Sequence, residues 1–311
     1  MARHLIIFVF LAVLVVVCGC NKASTEPVKT PTVEPLFAPE AAKIEPVKTE
    51  PNMTVFFCDR CAPILNTFVD DKGMVNYKEL KHRRTELKSV LNEFNRLDPN
   101  EYSRWPKEDK IAFWLNAYNL QLLRIVIDNY PIQSTRILRV LWPPTSIRHI
   151  KGIWTDYKFI VMDEEFTLEQ VDQRFFRNEF ADPRVFFGVW QASLSGPPLR
   201  NEPYCGYKLY KQLDDQAKKF LSNPLAFNID REKKVVNLSA IFHSNWYGNY
   251  FLAKYDTDKK FKDQKAEVRA ALNFIINYIS SRDVSFLEVE NYSVDYINHD
   301  WRLNDPSGGN Y

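Results

Sequence analysis

Apolar residues recur every three or four positions along several stretches of the chain, which is the spacing of amphipathic helices. The longest stretch begins at Pro106 and predicts a helix running to about Asn129, because Pro131 prevents continuation. "TLEQ", from Thr167, has the spacing of a capping box and predicts another helix start. Further helices are predicted around 56–68, from Thr85 to Leu97, from Pro203 to Leu221 and from Ala266 to Ser281.

Strand-like runs are fewer and shorter. The strongest is Val185–Trp190, which is apolar and rich in β-forming residues. Shorter candidates follow Gly73 and lie at Lys158–Met162, Lys234–Leu238 and Tyr292–Ile297. Because helices dominate and the strands are scattered, the pattern predicts an α+β fold. We expect one helix-rich domain whose short strands form a small, mostly antiparallel sheet.

The first 52 residues differ in composition from the rest. After Arg3, an unbroken apolar run ends at Cys18-Gly19-Cys20, and it is too short for a stable spanning helix. Residues 21–52 contain "EPVKT" twice, many prolines and few apolar side chains, which is typical of an extended tether. We therefore divide the chain into a signal peptide (1–20), a Pro-rich tether (21–52) and a domain (53–311).

"VCGC", which ends at Cys20, resembles the bacterial lipobox. That resemblance implies that Cys20 becomes the lipidated N-terminus and that its acyl chains hold the protein in a membrane. Asn21 after this cysteine favours the outer membrane, with the domain facing the periplasm of the cell envelope. The alternative is the cleaved signal of a soluble secreted protein.

The charge distribution and the histidine spacing argue against a nucleic-acid-binding or metal-binding protein. The formal net charge is +2, with acids and bases interspersed, so no basic face for nucleic acid is indicated. The histidines are isolated, and the acidic stretch at Asp256–Asp258 lacks the turn glycine of a calcium loop. We therefore predict no metal and no cofactor.

Cysteine spacing leaves several alternatives. Cys58 and Cys61 form a CxxC, and Cys205 stands far along the chain. A structural disulfide between Cys58 and Cys61, or two buried thiols, is the first interpretation. A redox pair and half of a metal site are the others.

Several stretches together resemble one bacterial family, the domain of unknown function 547. Their order and spacing cover nearly all of Met53–Asp305. The stretches are "DDKGMVNY", "AFWLNAYN" with "YPIQS", "TLEQVDQRFFR" with "DPRVFFGV", then "LSAIF" and "HDWRLND".

In typical members of that family the central section carries an acid-His pair on a helix, then a cysteine, then a serine-rich turn ending in Cys-Pro. On this sequence the acid falls on Asp172 and the histidine on Gln173. The cysteines fall on Gln191 and Gly196, while Pro197–Arg200 is retained. A cysteine beside an oriented histidine is an activated thiol, so the resemblance implies thiol-type hydrolases or transferases. Glutamine neither attacks nor accepts a proton near neutral pH.

These replacements predict a non-catalytic, pseudoenzyme-like member that binds a small molecule, glycan, peptide or envelope protein. If several tryptophans line one groove, a glycan or peptide stacks there. Asn116 and Asn119 face one way on a helix and either bind ligand or tie the helix to nearby backbone. A Cys or His side chain within hydrogen-bond reach of Gln191 or Ser193 would contradict this interpretation. The ligand-binding candidates are Asn116, Asn119, Asp172, Gln173, Gln191, Ser193, Ser195 and Arg200.

The alternative is an active hydrolase or transferase with a different nucleophile: Ser193, Ser195 or Cys205. A serine needs a base, and nothing in the sequence places a histidine near either serine. Cys205 precedes a predicted helix, whose dipole would favour a thiolate.

Overall fold

The computed structural model describes residues 53–134 and 138–308. The predicted signal peptide, the lipidated Cys20 and the tether lie outside them. Helices α1 to α5 form the first half of the domain, and α6 to α10 are interspersed with strands in the second. The helices are α1 Met53–Phe68, α2 Tyr77–His82, α3 Arg84–Arg96, α4 Pro99–Ser103, α5 Lys107–Asp128, α6 Leu168–Val171, α7 Leu209–Leu221, α8 Gly248–Tyr255, α9 Ala266–Ile275 and α10 Ser281–Val289.

Helix α5 is the centre of the packing. It begins directly after Pro106 and ends before Asn129, as predicted. Every residue from Ile111 to Leu123 is buried, so the helix is enclosed on all sides and not only along one face. Helices α1, α2, α3, α6 and α7 all contact it. Loops attached to α5 are therefore held by the most rigid part of the domain.

The strands form two small sheets. Strands β1 (Phe159–Val161) and β2 (Glu164–Phe166) make an antiparallel hairpin. In the second sheet, β4 (Val235–Ser239) pairs antiparallel with β3 (Phe227–Asp230) and parallel with β5 (Ser293–Ile297). The predicted α+β class is confirmed, with more helix than strand and mostly antiparallel pairing.

The strand predicted at Val185–Trp190 is wrong. Pro183–Phe187 forms a 3₁₀ helix, and Asp182 caps it by accepting the backbone N–H of Arg184. Phe186 stacks on Tyr247, with ring centroids 3.8 Å apart, while Phe187 is buried in an aromatic cluster elsewhere. A segment that is buried on several sides is apolar throughout and does not alternate between apolar and polar residues. The sequence of such a short segment therefore cannot distinguish a strand from a helix.

The structure also corrects the cysteine pairing. Cys58 forms a disulfide with Cys205, across Cα atoms 5.8 Å apart, and Cys61 is a free thiol. Cys58 lies on the part of α1 that faces the Tyr204–Cys205 backbone, whereas Cys61 is completely buried in the core. Burial raises the pKa of the Cys61 thiol. Cys205 is thereby excluded as a free nucleophile, and the bridge joins the first described helix to the second half of the domain.

Candidate ligand-binding site

Two asparagines of α5 hold the segment that contains the loop "WQASLSGPPLR". Asn119 holds its start, and Asn116 holds Tyr204, just beyond its end. Asn119 donates to the Gly188 carbonyl (2.9 Å) and accepts the N–H of Trp190 (3.0 Å). One helical turn earlier, Asn116 donates to the carbonyl of Tyr204 (2.8 Å) and accepts its N–H (2.9 Å). Both amides are buried and occupied by backbone. This is the arrangement expected if Asn116 and Asn119 tie the helix to nearby backbone.

The predicted capping box is present and begins the second wall of the site. Thr167 and Gln170 exchange side-chain and backbone hydrogen bonds at the start of α6. From Asp172 to Phe180 the helix continues as a π-helix, a form that is rare and frequently found at functional sites. Its i-to-i+5 pairing brings Arg177 back to Asp172, with Nε 2.6 Å from Oδ2. Burial raises the pKa of Asp172 even though Arg177 acts against it.

Between this helix and the loop lies a cavity of about 310 Å³, which we call the tryptophan pocket. Its volume is within the range of small-molecule sites. The predicted residues Asp172, Gln173 and Gln191 all line it, although they are far apart in sequence. The remaining lining residues come from α5, the segment that follows it, α6 and the π-helix, the residue before the loop and two later segments. They are Tyr118, Arg148, Trp154, Leu168, Glu169, Arg177, Val189, Asn245, Trp246, Tyr247 and Trp301.

Trp301 is the hub of an aromatic cluster beside the pocket. Its ring centroid lies 6.2 Å from that of Trp154, 5.9 Å from Trp246 and 6.3 Å from Trp142. The Arg148 guanidinium carbon lies 4.2 to 5.3 Å from the centroids of three of these rings. Four of the seven tryptophans therefore gather at one place, and three of them line the pocket.

The loop turns sharply between Gln191 and Ser193. Ala192 has a φ of 49°, in the left-handed region that residues other than glycine rarely adopt. As a result Gln191 lines the tryptophan pocket, while Ser193 and Gly196 line a separate cavity together with Lys72 and Lys219. The serine-rich turn thus separates two cavities.

Ser193 has a histidine partner that the sequence did not place. The Oγ of Ser193 lies 2.8 Å from the Nε2 of His299. A histidine within hydrogen-bond reach of Ser193 is the observation that was expected to contradict the non-catalytic interpretation. The absence of a base near Ser193 therefore no longer supports that interpretation. Ser195 has a different partner, because its Oγ accepts the N–H of Asp300 (2.9 Å).

The Ser193–His299 pair is enclosed. Only 3% of the Ser193 surface is exposed, and burial lowers the pKa of His299 to about 4, so the ring is neutral at pH 7. Asp300 is engaged by Arg302. In the described ranges no carboxylate hydrogen bonds to the second ring nitrogen of His299. The pair therefore lacks the orienting acid of a triad.

Arg200 does not take part in the site. Its guanidinium is buried and bonds to Glu202 and Asp215, with N–O distances of 2.5 Å, and to Gln216 at 3.2 Å. This network fixes the end of the loop against α7. Arg200 lines neither the tryptophan pocket nor the cavity beside Ser193, and its Nε is buried without a hydrogen-bond partner among the described residues, so its predicted ligand contact stays a prediction.

Sequence reasoning missed the most prominent members of the pocket. Arg148, Trp246 and Tyr247 come from segments without periodicity, and folding alone brings them to the π-helix. The signal for Trp301 was its place in "HDWRLND". Within the described residues, no group of three or more His, Cys, Asp or Glu side chains could hold a metal ion. None of the described helices is both long and apolar enough to cross a bilayer.

The fold and pocket define a helix-rich α+β domain with a loop held at both ends by its central helix. Residues 102–221, which include α5, the π-helix and the loop, match the family described as "Protein of unknown function, DUF547". The resemblance predicted from the sequence is confirmed over this segment. No curated protein and no solved structure matches the chain.

Proposed function

We propose that this protein binds a ligand in the tryptophan pocket. The observation that carries the proposal is the convergence of three indoles, Trp154, Trp246 and Trp301, with the amides of Gln173 and Gln191 in one cavity. Indoles offer flat apolar surface for a ring, and amides offer both donors and acceptors. Such a lining favours a ligand with a stackable ring and several hydroxyl or amide groups, as glycans and peptides have.

Intrinsic tryptophan fluorescence tests this proposal. A panel of soluble neutral oligosaccharides, acidic oligosaccharides and short peptides is titrated into the protein, and hits are confirmed by calorimetry. We expect Trp246→Ala to weaken binding by about fivefold or more, since stacking on an aromatic ring contributes about 1–3 kcal/mol. Tyr207→Ala, at an exposed position outside the pocket, is the control and leaves the affinity unchanged. Equal affinities of both variants and the wild type would contradict the proposal.

We also propose that the protein is a lipoprotein of the cell envelope, anchored through Cys20. Support comes from the N-terminal apolar run and from the Cys58–Cys205 disulfide, since disulfides persist in oxidising compartments such as the periplasm. In cells fed labelled palmitate, the wild type and Cys18→Ala incorporate label and fractionate with the outer membrane. Cys20→Ala loses both the label and the membrane association. Retention of the label by Cys20→Ala would contradict the anchor.

A second candidate function is acyl transfer at Ser193, favoured by the 2.8 Å contact with His299. Ser193 Oγ would attack a substrate carbonyl carbon while its proton moves to His299 Nε2, and the leaving group would then take that proton. A fluorophosphonate probe distinguishes this function from binding alone. An active serine gives a labelled peptide that contains Ser193 in the wild type and in Ser195→Ala, but none in His299→Gln. No labelling of the wild type would contradict it.

A further inference from the structure

We infer that the tryptophan pocket recognises an acidic sugar and that Arg148 binds its carboxylate. The inference rests on the proposed binding function and narrows it to one chemical class. It is carried by a cation of the pocket that has no ion-pair or hydrogen-bond partner among the described residues, Arg148, and by the indoles and amides that line the pocket with it.

Arg148 is the unpaired cation of the pocket. Arg148 is exposed, and across residues 53–134 and 138–308 its guanidinium forms no ion pair and no hydrogen bond and lies within 5.3 Å of three indole centroids. Burial lowers its pKa, with no neighbouring acid acting against this. The other pocket cation, Arg177, is paired with Asp172 and also donates to the Trp246 carbonyl. An incoming anion therefore finds one guanidinium with all its donors available.

The indoles hold that guanidinium in place for a ligand. Its carbon lies 4.2 Å from the Trp142 centroid and within 5.3 Å of two more indole centroids, and these cation–π contacts hold the guanidinium while its N–H donors remain available. A fork held in this way suits a carboxylate, which accepts two parallel hydrogen bonds. Glu169, the other acid lining the pocket, is exposed at the rim and forms no ion pair with Arg148.

Amide groups supply the polar part of the lining. The side chain of Gln191 lines the pocket, but its Oε1 is buried against the turn, 3.2 Å from a Cβ atom placed on Gly196, and is not open to a ligand. Gln173 and Asn245 add further amides on the same lining. Hydroxyl-rich rings that stack on indole and carry a carboxylate combine all of these requirements, and sugar acids are that class.

Two matched ligands and two matched variants test the inference. The ligands are a glucuronate-containing tetrasaccharide and its methyl ester, which lacks the negative charge and carries one additional methyl group. The variants are Arg148→Met, which keeps an apolar stem in the indole cluster, and Arg231→Met, which removes a guanidinium from an exposed ion pair with Asp283. Calorimetry measures the four affinities, and thermal melts monitored by circular dichroism verify folding.

For the wild type and Arg231→Met, we expect the acid to bind about tenfold more tightly than the ester, the size of one hydrogen bond to a charged group. In Arg148→Met this preference disappears while the affinity for the ester stays within about twofold. The wild-type preference also falls between low salt and 0.5 M salt, a measurement that needs no variant.

Equal binding of acid and ester by the wild type would overturn the acidic-sugar inference and leave the binding function standing. Equal weakening of acid and ester binding by Arg148→Met would also overturn the inference and leave the binding function standing, because Arg148 would then only support the indole packing. If neither tetrasaccharide binds while a neutral sugar or a peptide from the wider panel does, the ligand class alone is wrong. If nothing in that panel binds, the proposed function fails with it.

Discussion

A Cβ atom placed on Gly196 lies 3.0 Å from the Cβ of Gln191, so these two positions face each other across the turn. They are the two positions at which the family resemblance places cysteines. Two bridged cysteines have Cβ atoms about 3.5–4.5 Å apart, a distance reached here by a shift of a few tenths of an ångström. Cysteines at these positions are thus placed to form a bridge. Their replacement in this chain removes a potential crosslink as well as a thiol.

This relationship predicts that Gln191→Cys combined with Gly196→Cys forms a disulfide in air-oxidised protein. Peptide mapping by mass spectrometry under non-reducing conditions should find residues 191 and 196 in one crosslinked pair. The single variant Gln191→Cys is the control and keeps an alkylatable thiol. Two free thiols in the double variant, with the native Cys58–Cys205 bridge intact, would show that the turn holds the positions too rigidly to bridge.

Asn119→Asp should destabilise the domain, because a carboxylate oxygen replaces the amide that donates to the Gly188 carbonyl. The substitution preserves shape but leaves a buried carbonyl facing an acceptor, which costs about 1–3 kcal/mol or more for a charged group. Urea denaturation measures this loss. Asn92→Asp, on the exposed surface of α3, is the matched control and changes the free energy of unfolding by less than about 0.5 kcal/mol.

Loss of the Cys58–Cys205 bridge should lower the free energy of unfolding by about 2–5 kcal/mol, since the bridge closes a loop of 147 residues in the unfolded chain. Cys205→Ala and the reduced wild type are both measured by denaturant unfolding. Cys61→Ala keeps the bridge, so reducing agent should still destabilise it.

The same experiment verifies the pairing. In native protein the buried Cys61 should resist iodoacetamide and react only after denaturation. A crosslinked Cys58–Cys61 peptide would instead support the pairing first predicted from the CxxC spacing.

His299 should make stability depend on pH. Burial lowers its pKa from 6.5 to about 4, so the unfolded chain takes up this proton before the folded chain does. The stabilising contribution is complete above about pH 6.5 and is lost as pH falls toward 4. NMR titration of the imidazole should give a midpoint near 4, and His299→Gln should show a flatter fall in the free energy of unfolding over this window.

His82→Gln, on the exposed surface of α2, is the control and should follow the wild-type curve. An imidazole midpoint near 6.5 would contradict the burial of His299. Such a midpoint would also favour acyl transfer at Ser193, because a base whose pKa is near neutrality is the more effective catalyst.

Local signals in the sequence were sufficient for much of the fold. The capping box at Thr167 and the start of α5 after Pro106 depend on neighbouring residues only, and both are present. The strand predicted at Val185 was wrong because its environment, with aromatic rings on several sides, is decided by distant helices.

The site was predictable only in part for the same reason. Asp172, Gln173 and Gln191 were identified through the family pattern, and the structure brings them to one pocket. The contact between Ser193 and His299 spans 106 positions, and no local rule links two residues so far apart. The partner of Cys58 was missed likewise, since Cys61, nearby in sequence, was preferred to Cys205, which is distant in sequence but adjacent in space.

The Cys58–Cys205 bridge also has a mechanical consequence. Cys58 lies only five residues after Met53, the first described residue, so tension applied to the N-terminal end of the domain reaches Cys58 almost at once. From there it passes through the covalent bond to residue 205 and bypasses the chain between them. A pull from that end therefore cannot extend residues 59–204, so the central helix, the π-helix and the loop that holds Gln191 are shielded from the load.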